Sequence, residues 1–184
     1  MSRLEAFLQI TMDGYYADAA GDMSFAHRDD AEWQHFVRTN AREAGLLLFG
    51  RTTYELMSSW WPTPAAAQAM PEVAARMNAA PKLVFSRTLE RADWSNTTIA
   101  RDCVAEVRRL KGESGADMTI LGSGSIVTQL AAAGLVDTLQ LAVVPLALGG
   151  GKRLLDGIGA QLPFALARSR TFRNGSVVLW YEPR

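Results

Sequence analysis

Met118-Thr119-Ile120-Leu121-Gly122-Ser123-Gly124-Ser125-Ile126 joins a short, apolar, β-favouring run to a Gly-Ser-Gly-Ser turn, and an Ala/Leu-rich segment with helical spacing follows at once. The pattern predicts a strand, a tight turn and a helix. Glycine lets backbone approach a ligand closely, and the N–H groups at a helix start, at the positive end of its dipole, suit a phosphate. Gly and Ser also serve turns and caps in any α/β protein, so this stretch alone leaves two readings open, a cap or a phosphate cradle. Two tighter motifs fail. The dinucleotide fingerprint needs a third glycine where Val127 stands, and the next strand reaches Val144-Pro145 without the acidic residue that would hold a ribose. Gly149-Gly150-Gly151-Lys152 is not a P-loop, with Leu146 where the first glycine belongs and Arg153 in place of the Ser or Thr that binds magnesium.

Working outward, the same junction recurs. Leu46-Leu47-Leu48-Phe49, a continuous apolar run typical of a strand buried on both faces, passes straight into Gly50-Arg51-Thr52-Thr53-Tyr54-Glu55. Lys82-Leu83-Val84-Phe85 delivers Ser86-Arg87. Leu4 to Ile10 reads as the first strand, with Leu4, Ala6, Leu8 and Ile10 on one face and Phe7 on the other. A long irregular section, Thr11 to Asp22, follows it, and long ordered loops are commonly functional. Asp13 beside Gly14 reads either as a site carboxylate or as an Asp-Gly turn bonding its own backbone.

Helical spacing runs from Asp29 or Asp30 through Trp33, Phe36, Val37, Asn40, Ala41 and Ala44, with Gly45 as the stop. Further helices are expected beyond the Gly50 to Glu55 junction, through Leu56 and Met57 as far as Trp60 and ending before Pro62, from Pro71 to Asn78, and from Asp102 to about Gly112, the last with Cys103, Val104, Val107 and Leu110 inward. Trp60 and Trp61 read as core or interface residues, or as pocket walls. Val136 to Pro145 is a strand, and Phe164 to Phe172 and Ser176 to Tyr181 flank Asn174-Gly175, a hairpin signal. This hairpin, with Val177, Val178, Leu179 and Trp180, is expected at the sheet edge, able to pair or pack between two copies in a homodimer. Alternating strands and helices, then a terminal hairpin, imply one α/β domain over residues 1–184 with a mostly parallel sheet.

The 184 residues suffice for one core and are short for two domains. With 19 basic and 19 acidic residues, net charge gives no reason to expect nucleic acid or an anionic membrane as partner. Glu5 stands where a signal peptide needs an apolar run, and no stretch reaches the roughly 18 apolar residues of a membrane span, so the expected compartment is the cytoplasm. Cys103 alone excludes an intrachain disulfide, and with only His27 and His35 beside it no metal is expected.

In an open α/β sheet, ligands collect at the carboxyl ends of parallel strands. Three such ends carry Gly50-Arg51-Thr52-Thr53, Ser86-Arg87 and Gly122-Ser123-Gly124-Ser125. Two arginines and two helix starts in one crevice suit a ligand with several phosphates, and favour NADP over NAD because a separate arginine can serve the 2′-phosphate.

Thr11-Met12-Asp13-Gly14, Gly50 to Glu55, Ser86-Arg87, Leu121 to Ser125, Gly134-Leu135-Val136-Asp137, and Pro145 with Gly149-Gly150-Gly151 stand in an order and spacing that resemble the dihydrofolate reductase superfamily. Over about residues 4 to 182 the chain is similar to the branch containing the C-terminal reductase domain of bacterial riboflavin-biosynthesis deaminase/reductases. That resemblance implies a mixed sheet of about eight strands, mostly parallel with an antiparallel C-terminal hairpin, and helices on both faces. It further implies NADPH as hydride donor to a C=N or C=O bond of a small heterocyclic (pterin- or pyrimidine-like) or sugar-derived substrate, 5-amino-6-(5-phosphoribosylamino)uracil among them. By position, Gly50, Arg51, Thr52 and Thr53 would hold phosphates, Ser86 and Arg87 the 2′-phosphate end, and Leu121, Gly122, Ser123, Gly124, Ser125 and Ile126 the pyrophosphate. Asp13 is the catalytic candidate, a polar group near the transferred hydride.

Two positions depart from the resemblance. No carboxylate of Glu32-Trp33-Gln34-His35-Phe36 falls in register with the one dihydrofolate reductases carry on the first helix, and Tyr15 follows Gly14 where riboflavin-pathway reductases tend to have Lys. A non-catalytic nucleotide-binding protein on the same fold is therefore the alternative. A hydrolase is disfavoured, since Gly122 to Ile126 is not the Gly-x-Ser-x-Gly elbow.

Overall fold

Leu4–Thr11 (β1) buries Leu4, Ala6, Leu8 and Ile10 toward one side and Phe7 toward the other, so both faces of this strand have to be covered. Helices supply the cover. The computed structural model describes residues 2–27, 30–40, 45–113 and 115–184. After β1 come β2 (Tyr15–Ala17), α1 (Ala31–Asn40), β3 (Leu46–Gly50), α2 (Arg51–Trp60), α3 (Pro64–Ala69), α4 (Pro71–Ala79), β4 (Lys82–Phe85) and β5 (Thr97–Ala100). Then follow α5 (Cys103–Gly112), β6 (Met118–Leu121), α6 (Gly124–Ala132), β7 (Thr138–Val144), β8 (Lys152–Arg153), β9 (Phe164–Thr171) and β10 (Val177–Pro183).

An 8-stranded sheet runs in the order β5-β4-β3-β6-β1-β7-β10-β9. Every pair from β5 to β7 is parallel, and β10 and β9 add on antiparallel. This is the dihydrofolate reductase-like arrangement that the sequence implied. On one face, Cys103 and Val107 of α5 and Ile126, Val127 and Leu130 of α6 pack against Leu4, Ala6, Leu8 and Ile120. On the other, Tyr54, Val73 and Met77 of α2 and α4 cover Leu47, Phe49 and Val84. Trp33 and Phe36 of α1 meet Phe7, Phe172 and Trp180, with Phe172 centred 5.0 Å from Trp33 and 5.1 Å from Phe36.

Local chemistry sets the helix ends. Asp102 caps α5 by accepting from the amides of Val104 and Ala105, and Asp30 accepts from the Trp33 amide at 2.7 Å. Gly134, at φ 68°, lets the Leu135 amide turn back to the Leu130 carbonyl and close α6. Lys82 is 1% exposed, and its ammonium donates to the carbonyls of Asn78, Ala80 and Ser95. Burial pulls its pKa down to about 8.

Several boundaries differ from the sequence reading. Asp29, Ala41 and Ala44 lie outside the described residues; the helix begins at Ala31, with Asp30 as its cap. The Ala-rich stretch before Pro71 is helical, because Thr63 accepts from the Ala66 amide and Pro64 takes the first helical position. Within Thr11 to Asp22, Tyr15–Ala17 is extended and pairs with Lys152–Arg153, so the glycine cluster turns the chain into a small ribbon. The C-terminal hairpin stands at the sheet edge, as expected: β10, carrying Val177 to Trp180, pairs with β7 and β9, and β9 is the outermost strand.

The aromatic cluster under α1 yields a stability prediction. Phe36→Ala is expected to lower the unfolding free energy by about 3–5 kcal/mol, read as a lower urea midpoint at unchanged slope.

Candidate cofactor cleft and its apolar neighbour

The loops that leave β3 and β6 are held together by one side chain. Ser123 sits in the left-handed region, at φ 57° and ψ 57°, just before α6. A non-glycine residue there is costly unless its surroundings hold it. They do: the Ser123 hydroxyl accepts from the Gly50 amide at 2.7 Å, and the Ser123 amide donates to the Thr53 hydroxyl at 3.2 Å. The start of α2 is thereby fixed against the start of α6. Among the described residues, the amides of Gly124 and Ser125 have no acceptor, and neither do those of Arg51 and Thr52.

These two helix starts border a cavity of about 430 Å³. Gly50, Arg51, Thr52 and Thr53 form one wall, and Gly122, Ser123, Gly124, Ser125 and Ile126 another. Phe85 closes the side toward β4. Tyr16 and Lys152, from the β2–β8 ribbon, complete the rim. Glycine is required at 124, because a Cβ there would run into the Tyr16 ring. Burial of that ring raises the phenol pKa. The only cations along this wall, among the described residues, are Arg51 and Lys152, and no Asp, Glu or His lines it.

The remaining candidates lie around the cleft rather than in it. Arg51 bonds Glu55 and the Thr88 hydroxyl, both at 2.7 Å, which draws α2 toward the loop after β4. In that loop Ser86 is buried and accepts from the amides of Thr88 and Leu89, while Arg87 is exposed. Neither lines the cavity. Leu121 faces the next cavity, of about 210 Å³, which shares Leu8, Gln9, Met23, Thr53, Leu56 and Gly122 with the first. Trp61 is among its walls, whereas Trp60 is 42% exposed and lines neither cavity.

Asp13 is engaged elsewhere. Its carboxylate accepts from the Thr11 hydroxyl at 2.6 Å, the Gly149 amide at 2.8 Å and the Leu148 amide at 3.2 Å. The Thr11 hydroxyl and the two amides hold its pKa at about 2, so it is ionised at neutral pH and has no proton to give. It lines neither cavity and instead ties the loop after β1 to the loop after β7.

Sequence reasoning missed Tyr16, Lys152 and Gln9. Tyr16 and Lys152 reach the cleft only because β2 pairs with β8, a contact between residues more than a hundred positions apart. The glycine cluster, set aside because it fails as a P-loop, was the available signal: it turns the chain so that Lys152 comes back to the cleft.

With this geometry in hand, a family model for the RibD C-terminal domain matches residues 3–178. The chain belongs to the RibD C-terminal domain family. Among curated relatives, the uncharacterized protein YyaP of Bacillus subtilis is 27% identical over 176 residues, covering 95% of this chain and 92% of that one. Two solved structures share the RibD-like fold. A protein ascribed to riboflavin biosynthesis from Shewanella sp. PV-4 superimposes with a TM-score of 0.76 at 19% identity, covering 99% of each chain. The diaminohydroxyphosphoribosylaminopyrimidine deaminase/5-amino-6-(5-phosphoribosylamino)uracil reductase of Thermotoga maritima does so with 0.66 at 14%, over 100% of this chain and 57% of that one. Among the described residues no group of side chains could hold a metal ion, and no helix is long and apolar enough to cross a membrane.

The Asp13 clamp carries a pH dependence. Its carboxyl is held below its usual 3.8, so its contribution to stability is complete above about pH 4 and fades as pH falls through the folded value of about 2. An NMR titration of the Asp13 carboxyl is expected to give a midpoint near 2. Asp13→Asn is expected to speed amide exchange at Leu148 and Gly149.

Proposed function

We propose that this RibD C-terminal domain protein is an NADPH-dependent reductase acting on a C=N or C=O bond of a small heterocyclic or sugar-derived molecule. The observation that carries it is the cleft itself: two helix starts with free amides, fixed against each other through Ser123, with Arg51 and Lys152 at the rim and an apolar cavity alongside. Free amides at a helix start and nearby cations are what phosphates bind.

In this reading Arg51, Thr52, Thr53 and the Gly122 to Ile126 turn hold the pyrophosphate, joined by Lys152. Ser86 shapes the loop that carries Arg87 toward the 2′-phosphate. When bound, NADPH supplies the hydride; the chain's part is to orient the reacting faces and exclude water. No carboxylic acid or imidazole among the described residues lines either cavity, and the Tyr16 phenol and the Lys152 ammonium are the proton-bearing groups at the rim of the cleft.

That same absence favours a second reading, a nucleotide-binding protein without turnover. A substrate panel followed by loss of NADPH absorbance separates the two, and turnover of any member eliminates it. Calorimetry is expected to show NADPH binding more tightly than NADH. Arg51→Ala and Lys152→Ala are each expected to weaken NADPH by about tenfold, the loss of roughly one charge-assisted contact. Arg87→Ala is expected to reduce the preference over NADH. Equal or absent binding of the two cofactors would refute the reading.

We also propose a homodimer formed at β9. This edge strand is exposed along most of its length, with Leu166 at 54%, and its outer hydrogen-bonding groups are free to pair with a second copy. Sedimentation is expected to show a dimer that Ser169→Pro converts to monomer; a wild-type monomer would rule it out.

A further inference from the structure

The 210 Å³ cavity beside the cofactor cleft differs from it in chemistry. Its walls come from five elements, and Phe7, Val37, Met57, Trp61, Met70 and Met77 are among its apolar lining. Four polar side chains line it among the described residues: Gln9, Arg38, Asn40 and Thr53. Three of these are committed. Asn40 exchanges amide hydrogen bonds with buried Gln140, at 3.0 and 3.2 Å. Thr53 accepts from the Ser123 amide, and Arg38 is exposed and donates to Gln34.

Gln9 is left. Its Oε1 is buried and has no hydrogen-bond partner, although a buried carbonyl without a donor is costly and native structures rarely keep one. Its side chain lies at the junction of the two cavities. The terminal torsion of Gln is broad and roughly two-fold, so a half-turn of the amide exchanges the places of Oε1 and Nε2.

We infer that this cavity takes an uncharged, flat ring compound whose N–H or O–H donates to Gln9 Oε1, and that it does not take a phosphorylated substrate. This deepens the reductase reading and rests on it for the neighbouring cleft. A phosphate needs cations or free amides, and among the described residues the cation lining this cavity is the exposed Arg38. A flat apolar ring needs what the cavity offers, aromatic and thioether walls with one directional acceptor. The volume lies below the roughly 300–1,000 Å³ of sites for drug-sized ligands, which restricts the occupant to one or two rings.

The test uses the whole protein saturated with NADPH, after a separate titration has shown that NADPH binds. Quinoxalin-2(1H)-one, a neutral bicycle with a lactam N–H, is titrated against its N1-methyl analogue, which lacks the donor. The lactam is expected to bind at least about tenfold more tightly in the wild type. In Gln9→Met, with an unchanged circular dichroism spectrum and unfolding midpoint as the folding check, the two are expected to bind equally. 5-Amino-6-(5-phosphoribosylamino)uracil is expected to bind more weakly than the lactam. Equal binding of lactam and methyl analogue to the wild type, no binding of either, or tighter binding of the phosphorylated compound would overturn the inference while leaving NADPH binding intact. Failure of the NADPH titration would instead strike the reductase reading. Should Gln9→Met fail to fold, the wild-type comparison of lactam and methyl analogue still decides.

Discussion

The double hydrogen bond at Ser123 is the constraint on which the cleft depends. One residue in an unfavourable backbone region accepts from the amide that ends β3 and donates to a hydroxyl in the first turn of α2. The left-handed conformation is what allows hydroxyl and amide to face the same neighbouring corner. Because the strain is local and both partners belong to another element, the corner is held by tertiary contact rather than by its own turn preference. β3 and β6 are hydrogen-bonded neighbours in the sheet, so the staple continues their register beyond the last ladder bond.

From that staple follows a division of labour in space. The polar cleft forms where two helix axes begin, and the apolar cavity forms where α1, α2 and α4 leave the sheet partly uncovered between them. Charged groups stay at the outer rim, and carboxylates are absent from both linings among the described residues. Asp13, the carboxylate nearest in sequence to the expected chemistry, serves architecture instead: three donors converge on it and hold it ionised.

Much of this was legible in the sequence. Three of the parallel strands, β3, β4 and β6, announced themselves as short apolar runs ending in Gly or Ser, and Asn174-Gly175 marked the hairpin. The order of those junctions placed Gly50 to Thr53 beside Gly122 to Ile126 before any coordinates did. Contacts set by pairing across long separations were not legible. The two-residue strand at Lys152 has no pattern of its own, and Tyr16 alternates only within a three-residue strand. The site role of Asp13 was ambiguous for a related reason: an Asp-Gly pair turns the chain whatever its carboxylate touches, and its acceptors' partners at Leu148 and Gly149 are distant in sequence. Edge and interior strands of the hairpin could not be ranked either, because neighbours in a sheet are decided by β7.

The loops after β1 and β7 leave adjacent parallel strands and are tied to each other by the Met12 amide on the Leu146 carbonyl, by Asp13 and by the β2–β8 ribbon. This makes them a single mechanical unit. An insertion that lengthens one loop between its strand and the ribbon would shift Asp13 or Lys152 out of register with its partner, so length changes there have to arrive in pairs. Variation that reshapes the cleft one step at a time is thus channelled to segments outside the tie, such as Asp18 to Met23 and the stretch after Leu155.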